Sequence, residues 1–153
     1  MSTTCGIVAI AGRPNAGKST LLNALVGEPL AIVSPKPQTT REPVRGLISD
    51  AESQIILVDP AGLLDPTYAL QRAMMSAAVA TLADADLVLH VHPVTDGEAP
   101  ALSGILEGLT APGSRLSNIE HKTMVVYTKS DLRHSFILQP SALRVSSVTG
   151  AGI

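Results

Sequence analysis

The sequence predicts an α/β fold, a three-layer sandwich on a mostly parallel sheet with one antiparallel strand. Short apolar runs alternate with amphipathic ones, the pattern of strands buried on both faces and joined by crossover helices. The first apolar run opens into a glycine-bounded turn that leads straight into a helical repeat. A length of 153 residues allows one compact domain and hardly a second.

Cys5 to Ala11 is short, apolar and closed by Gly12, which reads as a buried strand. Over Lys18 to Val26, Leu21, Leu22, Leu25 and Val26 recur at helical spacing, and Gly27 supplies the stop. Glu28 to Glu42 shows neither period; with Pro29, Pro35, Pro37 and the polar run Gln38-Thr39-Thr40-Arg41 it is expected to be a long, mobile, functional loop. Val44 to Ser49 and Gln54 to Val58 flank Asp50-Ala51-Glu52-Ser53, the pattern of a hairpin and hence of the antiparallel pair. After Asp59-Pro60-Ala61-Gly62, Asp65 and Pro66 have the character of an N-cap and a first helical residue. Leu70, Met74, Ala77 and Ala78 then share one face of a second helix. Asp86 to His92 is a strand, Leu102, Ile105, Leu106 and Leu109 mark a third helix, Thr123 to Thr128 is another buried strand, and Leu143 to Ser147 is a short last run.

With 45% hydrophobic and 16% charged residues, the chain has the content for a core and is too apolar for intrinsic disorder. One cysteine forms no internal disulfide, and no basic segment precedes an apolar stretch at the start, so a cytoplasmic location is expected. Glu28, Asp59, Asp84 and Asp86 break the richest apolar stretches below the ~18 residues of a membrane span, leaving at most peripheral membrane contact. A net charge of −2 and only three aromatics, Tyr68, Tyr127 and Phe136, provide neither a basic footprint nor a base-stacking surface for nucleic acid.

Gly12-Arg13-Pro14-Asn15-Ala16-Gly17-Lys18-Ser19 satisfies G-x-x-x-x-G-K-[ST], a phosphate-binding P-loop. The motif needs a strand before it and a helix after it, so that backbone N–H groups and the positive helix end converge on the β-phosphate; both flanks are predicted. Gly12 and Gly17 permit backbone conformations that side chains resist, Lys18 reaches the β- and γ-phosphates, and Ser19 offers its hydroxyl to Mg2+. The bland alternative is a glycine turn with a surface lysine. The fold class is thereby sharpened to that of a P-loop NTPase. Asp59, straight after Ile55-Ile56-Leu57-Val58, is placed to position the metal ion, commonly through a water; its bland alternative is a turn carboxylate capping the next helix.

The base is chosen elsewhere. Thr128-Lys129-Ser130-Asp131 follows a buried strand, and a carboxylate there accepts both the N1–H and the 2-amino protons of guanine, whereas adenine leaves it unpaired. Gly62 supplies a backbone N–H for the γ-phosphate.

Together G-R-P-N-A-G-K-S, a switch threonine, D-x-x-G, T-K-x-D and the late Ser146-Ser147-Val148 resemble the ordered signatures of the translation-factor-related GTPases. Within that group Pro35-Lys36-Pro37-Gln38-Thr39-Thr40-Arg41 followed by Gly46 resembles the Era family. The resemblance implies an Era-type G domain over residues 1–153 that binds GTP and GDP with Mg2+, hydrolyses GTP, and takes part in small-subunit assembly by binding ribosomal RNA. It implies that Thr40 joins Mg2+ and the γ-phosphate, with Thr39 as the alternative. Metal contacts then fall to Ser19, Thr40 and Asp59. The nucleotide falls to Gly12, Asn15, Ala16, Gly17, Lys18, Ser19 and Thr20, to Gly62 and Leu63, and to Thr128, Lys129, Asp131, Ser146, Ser147 and Val148. Lys18, Thr40 and Gly62 are the residues assigned to catalysis.

The chain also departs from the family. Asp59-Pro60-Ala61-Gly62 replaces the usual Asp-Thr-Pro-Gly, and Thr128 replaces an asparagine, which is expected to weaken a contact between base loop and P-loop. Eleven residues separate Asp131 from Leu143, so the family's fourth helix is expected to be shortened. The final helix and the family's KH-type RNA-binding domain are expected to be missing, leaving a C-terminally incomplete domain whose RNA function does not transfer. Leu63 stands where signalling GTPases place a water-orienting glutamine, so intrinsic turnover is expected to be slow, on the order of 10⁻⁴ to 10⁻³ per second or below. By resemblance Asn15 is a candidate to help hold an activating K+; the plainer reading is a turn residue. The rival to a switch enzyme is a nucleotide-binding module with little or no hydrolysis.

His90 and His92 face the same side of a strand but lack a third metal ligand, so a packing role is expected. His121, His134 and Arg13 are expected to be solvated, and Cys5 to act as a small buried hydrophobe.

Overall fold

The computed structural model describes residues 4–110, 116, 118–132 and 140–153, and its strands form a single sheet. They are β1 (Thr4–Ala11), β2 (Val44–Ser49), β3 (Ser53–Asp59), β4 (Leu87–Pro93), β5 (Thr123–Thr128) and β6 (Leu143–Arg144), in the spatial order β2-β3-β1-β4-β5-β6. β2 runs antiparallel to β3, and every other pairing is parallel. The helices are α1 (Lys18–Val26), α2 (Ala69–Asp84) and α3 (Leu102–Glu107).

β1 is central, and its residues explain the layering. Ile10 packs with Leu57, Val91 and Val126 under Leu21 and Leu22 of α1. Ala9 and Ala11 pack on the opposite face with Met74, Met75 and Leu82 of α2 and Leu102 and Leu106 of α3. A strand covered on both faces has to be apolar throughout, which is why its run reads as continuous. This is the predicted sandwich. The strand order reverses beside β1, so the turn after Ala11 opens into a crevice at the carboxyl ends of the strands.

Several local choices follow from named residues. Gly27 ends α1 at φ 82°, donating its N–H to Asn23 O at 2.9 Å. A Cβ on Gly46 would lie 2.5 Å from Val26, so the glycine lets β2 approach α1. Asp50 turns the hairpin by accepting the N–H groups of Glu52 and Ser53 at 2.8 and 2.6 Å. Lys122 closes the end of α2, donating to the carbonyls of Ala83 and Ala85 at 2.8 and 2.7 Å.

The structure corrects several expectations. α2 begins at Ala69, with Tyr68 at its N-cap, rather than at Asp65 and Pro66. Gln71 Oε1 instead accepts the N–H and hydroxyl of Thr67 at 2.8 and 3.0 Å, fixing the entry there. The buried seam of α2 is Gln71, Met74, Met75, Ala78 and Leu82, leaving Leu70 and Ala77 exposed. In an alanine-rich helix neighbouring seams carry similar hydrophobicity, and packing against α3 and β1 selects between them. β4 begins at Leu87, because Asp86 lies across β1: its carboxylate accepts Ile7 N–H at 2.7 Å and its own N–H donates to Ile7 O. Cys5 is exposed, since the start of β1 lies at the uncovered end of the sheet. β6 is shorter than Leu143 to Ser147, as Ser146 turns away to bond Ala151 and Gly150. The expected shortened fourth helix and His134 fall on residues 133–139, outside the described residues.

Candidate functional site

The turn between β1 and α1 is shaped by what it excludes. A Cβ on Gly12 would lie 2.6 Å from Val91 O, and Gly17 at φ 94° occupies the left-handed region. Asn15 also takes a left-handed conformation, φ 63°. α1 then starts at Lys18 with its first N–H groups directed into the turn.

Four side chains converge at this helix end. Lys18 Nζ lies 3.9 Å from Asp59 Oδ1, the two residues 6% and 0% exposed. Ser19 Oγ donates to Asp59 Oδ2 at 2.5 Å and sits 3.3 Å from Thr40 Oγ1. Thr40 is buried although its loop is largely exposed, and Thr39 lines the adjoining cleft without joining this cluster. Burial pushes the Lys18 ammonium below its ordinary range, with Asp59 opposing. Burial likewise pushes the Asp59 carboxyl up, opposed by Lys18, Ser19 and Thr40.

Among the described residues Asp59 Oδ1 is inaccessible and has no hydrogen-bond partner. An orphaned carboxylate oxygen beside two hydroxyls is a hard-oxygen donor set, which fits Mg2+.

A cleft of about 380 Å³ opens beside this cluster, lined by Pro14, Asn15, Gly17, Lys18, Ser19, Thr20, the 32–35 segment, Gln38, Thr39, Thr40, Gly62 and Lys129. Ile32 and Val33 in that wall are exposed by 73% and 58%. They escaped the sequence reading, although apolar residues in a polar loop were the signal. Asn23 was missed as well: its amide clips Ala31 at both N–H and carbonyl, at 2.8 and 2.9 Å, anchoring the start of the loop. Asn15 Nδ2 donates to Pro35 O at 3.2 Å, joining the loop to the turn.

Gly62 packs against the turn so closely that a Cβ would meet Pro14 N at 2.8 Å. Leu63 donates its N–H to Gly12 O at 2.8 Å and buries its side chain in the core beside α2 and α3.

The second half of the site lies at the end of β5. Thr128 Oγ1 donates to Ala16 O at 2.6 Å, so the threonine expected to weaken this contact makes a buried hydrogen bond there. Lys129, at φ 57°, donates to Asn15 O at 3.1 Å. Asp131 Oδ1 accepts the Ser146 hydroxyl at 2.6 Å. Ser146 is buried, Ser147 half-buried and Val148 exposed.

His90 and His92 pack edge to face, centroids 6.4 Å apart, and His92 does the same with Tyr127 at 6.0 Å. Burial lowers the His90 pKa to about 4. Among the described residues no cluster of three His, Cys, Asp or Glu suits a metal. Arg13 and His121 are exposed.

Residues 7–129 match the sequence model of a family described as 50S ribosome-binding GTPase. The chain is 41% identical over 131 residues to the GTPase Era of Bradyrhizobium sp. strain ORS 278, covering 86% of this chain and 40% of that protein. It thus spans about two fifths of the length of that relative. A solved structure of Era in complex with MgGDPNP and nucleotides 1506–1542 of 16S ribosomal RNA superposes with a TM-score of 0.77 at 30% identity, over 97% of this chain and 53% of that one. The G domain of the T. maritima FeoB iron transporter superposes with a TM-score of 0.66 at 28% identity, over 97% and 91%. Among the described residues no helix is long and apolar enough to cross a membrane.

Proposed function

Because the chain belongs to the 50S ribosome-binding GTPase family, we propose that it binds GTP and GDP with Mg2+, hydrolyses GTP slowly, and acts as a conformational switch. The observation that carries this reading is the convergence of Lys18, Ser19, Thr40 and Asp59 at the start of α1, with Thr128 tying the base loop to the same turn.

In this mechanism the N–H groups of residues 15–20 and the Lys18 ammonium bind the β- and γ-phosphates. Ser19, Thr40 and Asp59 would hold Mg2+, which would supply charge neutralisation at the phosphates. Asp131, oriented by Ser146, accepts the two guanine N–H groups, and the Ser147 N–H is the group we assign to guanine O6. Gly62 directs its N–H toward the γ-phosphate. Loss of that phosphate releases Thr40 and Gly62, and the loop beyond the Asn23 clip relaxes.

Slow turnover follows from Leu63, whose buried apolar side chain orients no water. The same observation favours the second reading, a guanine-nucleotide-binding module with little or no hydrolysis. Asn15 is the residue we assign to K+ if this ion accelerates the reaction. By likeness to the Era structure that contains 16S ribosomal RNA, we place the switch in small-subunit assembly in the cytoplasm, with ribosomal RNA as a partner. Phosphate release from GTP with Mg2+, measured in Na+ and in K+, tests the assignment. GDP formation stimulated by K+ supports the switch enzyme with Asn15 in that role, and binding without turnover in either salt supports the module.

A further inference from the structure

We propose that the Gln38 carboxamide orients the water that attacks the γ-phosphate, with Tyr68 positioning it. The inference rests on the GTPase reading above and assigns a residue that reading leaves blank.

Leu63, directly after Gly62, offers no hydrogen-bonding side chain for this purpose. Leu63 is 2% exposed, packed in the core, and held there by its N–H bond to Gly12 O. Turning it outward would give up that burial and still present no hydrogen-bonding group. The facing wall of the cleft is different, because Gln38 lies in it together with Thr40 and Gly62. Asn15, Ser19 and Thr40 in the same wall are already engaged, with Pro35 O, Asp59 and each other.

Gln38 sits at φ 64°, a left-handed conformation costing a non-glycine residue about 1–2 kcal/mol. Strain of that kind persists where the surroundings hold it and concentrates at functional sites. The Tyr68 hydroxyl donates to Gln38 Oε1 at 3.5 Å. Tyr68 is the N-cap of α2, so this contact joins the loop that carries Thr40 to the segment that follows Gly62. The carboxamide NH2 makes no hydrogen bond among the described residues. A carboxamide both donates and accepts, the capacity needed to align a water in line with a phosphoryl group.

In the step itself the water oxygen forms a bond to the γ-phosphorus as the bond from that phosphorus to the β–γ bridging oxygen breaks. The bridging oxygen keeps the electron pair and leaves on GDP, and the water proton passes to a phosphate oxygen, giving inorganic phosphate. Gln38 aligns the water and takes no proton.

The test is single-turnover GTP hydrolysis with excess protein, alongside affinities for GDP and for the imido GTP analogue. Gln38→Gly removes the carboxamide at a backbone angle glycine accepts freely, so it preserves the fold. We expect it to slow hydrolysis tenfold or more with both affinities within twofold. Gln38→Asn, which keeps the carboxamide and tolerates a left-handed backbone, is expected to be at least threefold faster than Gln38→Gly, and Tyr68→Phe about threefold slower than wild type. Hydrolysis by Gln38→Gly within twofold of wild type overturns the assignment. So does a rate loss matched by an equal loss of analogue affinity, which marks a merely structural role. Absence of hydrolysis in the wild-type chain instead overturns the enzyme reading on which the assignment rests.

Discussion

The Ser146 hydroxyl donates to one carboxylate oxygen of Asp131 at 2.6 Å, and Ser146 is itself wholly buried. Its oxygen also accepts the Thr149 N–H at 3.2 Å, so the serine cannot rotate away without losing two bonds. Asp131 is thereby oriented with its second oxygen free of Ser146. Asp131→Asn exchanges an acceptor for a donor and is expected to move preference from guanine toward xanthine nucleotides, measured by competition binding. Ser146→Ala is expected to weaken GDP binding about tenfold, the worth of one hydrogen bond to a charged group. Unchanged guanine preference in Asp131→Asn contradicts the base assignment.

Lys18 and Asp59 lie 3.9 Å apart at 6% and 0% exposure. Lys18→Ala removes the positive charge that the phosphates and the carboxylate share. GTP and GDP affinity are expected to fall at least a hundredfold, with the circular dichroism of the folded chain retained. Wild-type affinity in this variant contradicts the phosphate assignment. Ser19→Ala leaves Lys18 in place and is expected to abolish the tightening of GDP binding by Mg2+.

Much of this was legible in the sequence, and the reasons differ by element. The β1–turn–α1 unit was readable because Gly12, Gly17 and Gly27 mark backbone conformations that few residues adopt. The hairpin was readable from Asp50, whose side chain builds the turn locally. The seam of α2 was not, because alanine on adjacent faces leaves the choice to packing partners far along the chain. Asp65 and Pro66 carry cap chemistry, but the competing Gln71–Thr67 bonds start the helix later. Within the site, the motif residues were legible by type and spacing. The Asn23 clip, the Thr128–Ala16 bond and the Ser146–Asp131 bond were not, since each depends on how separate segments meet.

Thr128 Oγ1 donates to Ala16 O, a contact between residues far apart in the chain and wholly buried. Thr128→Val keeps the shape and leaves that carbonyl unpaired. A loss of about 1–3 kcal/mol in unfolding free energy is expected from urea denaturation, with a parallel weakening of nucleotide binding. Wild-type values for both contradict a structural tie at this position.

Burial lowers the His90 pKa to about 4, against about 6.5 in the unfolded chain. Between those values the unfolded state binds more protons, so the contribution of neutral His90 is complete above pH 6.5 and is lost as pH falls toward 4. From pH 7.5 to pH 5 this amounts to about 2 kcal/mol. His90→Leu is expected to flatten the pH dependence by that amount in denaturant unfolding at the two pH values. An equal slope in wild type and variant assigns the proton uptake to another group.

The central claim is a guanine-nucleotide site built from the turn at Gly12–Ser19 and the loop at Thr128–Asp131. Calorimetric titration of the folded 153-residue chain with GDP, the imido GTP analogue and ATP, each with Mg2+, tests it most directly. Saturable binding of both guanine nucleotides with no heat from ATP is the predicted result. A folded chain that binds ATP as tightly as GTP, or that binds none of the three, contradicts it.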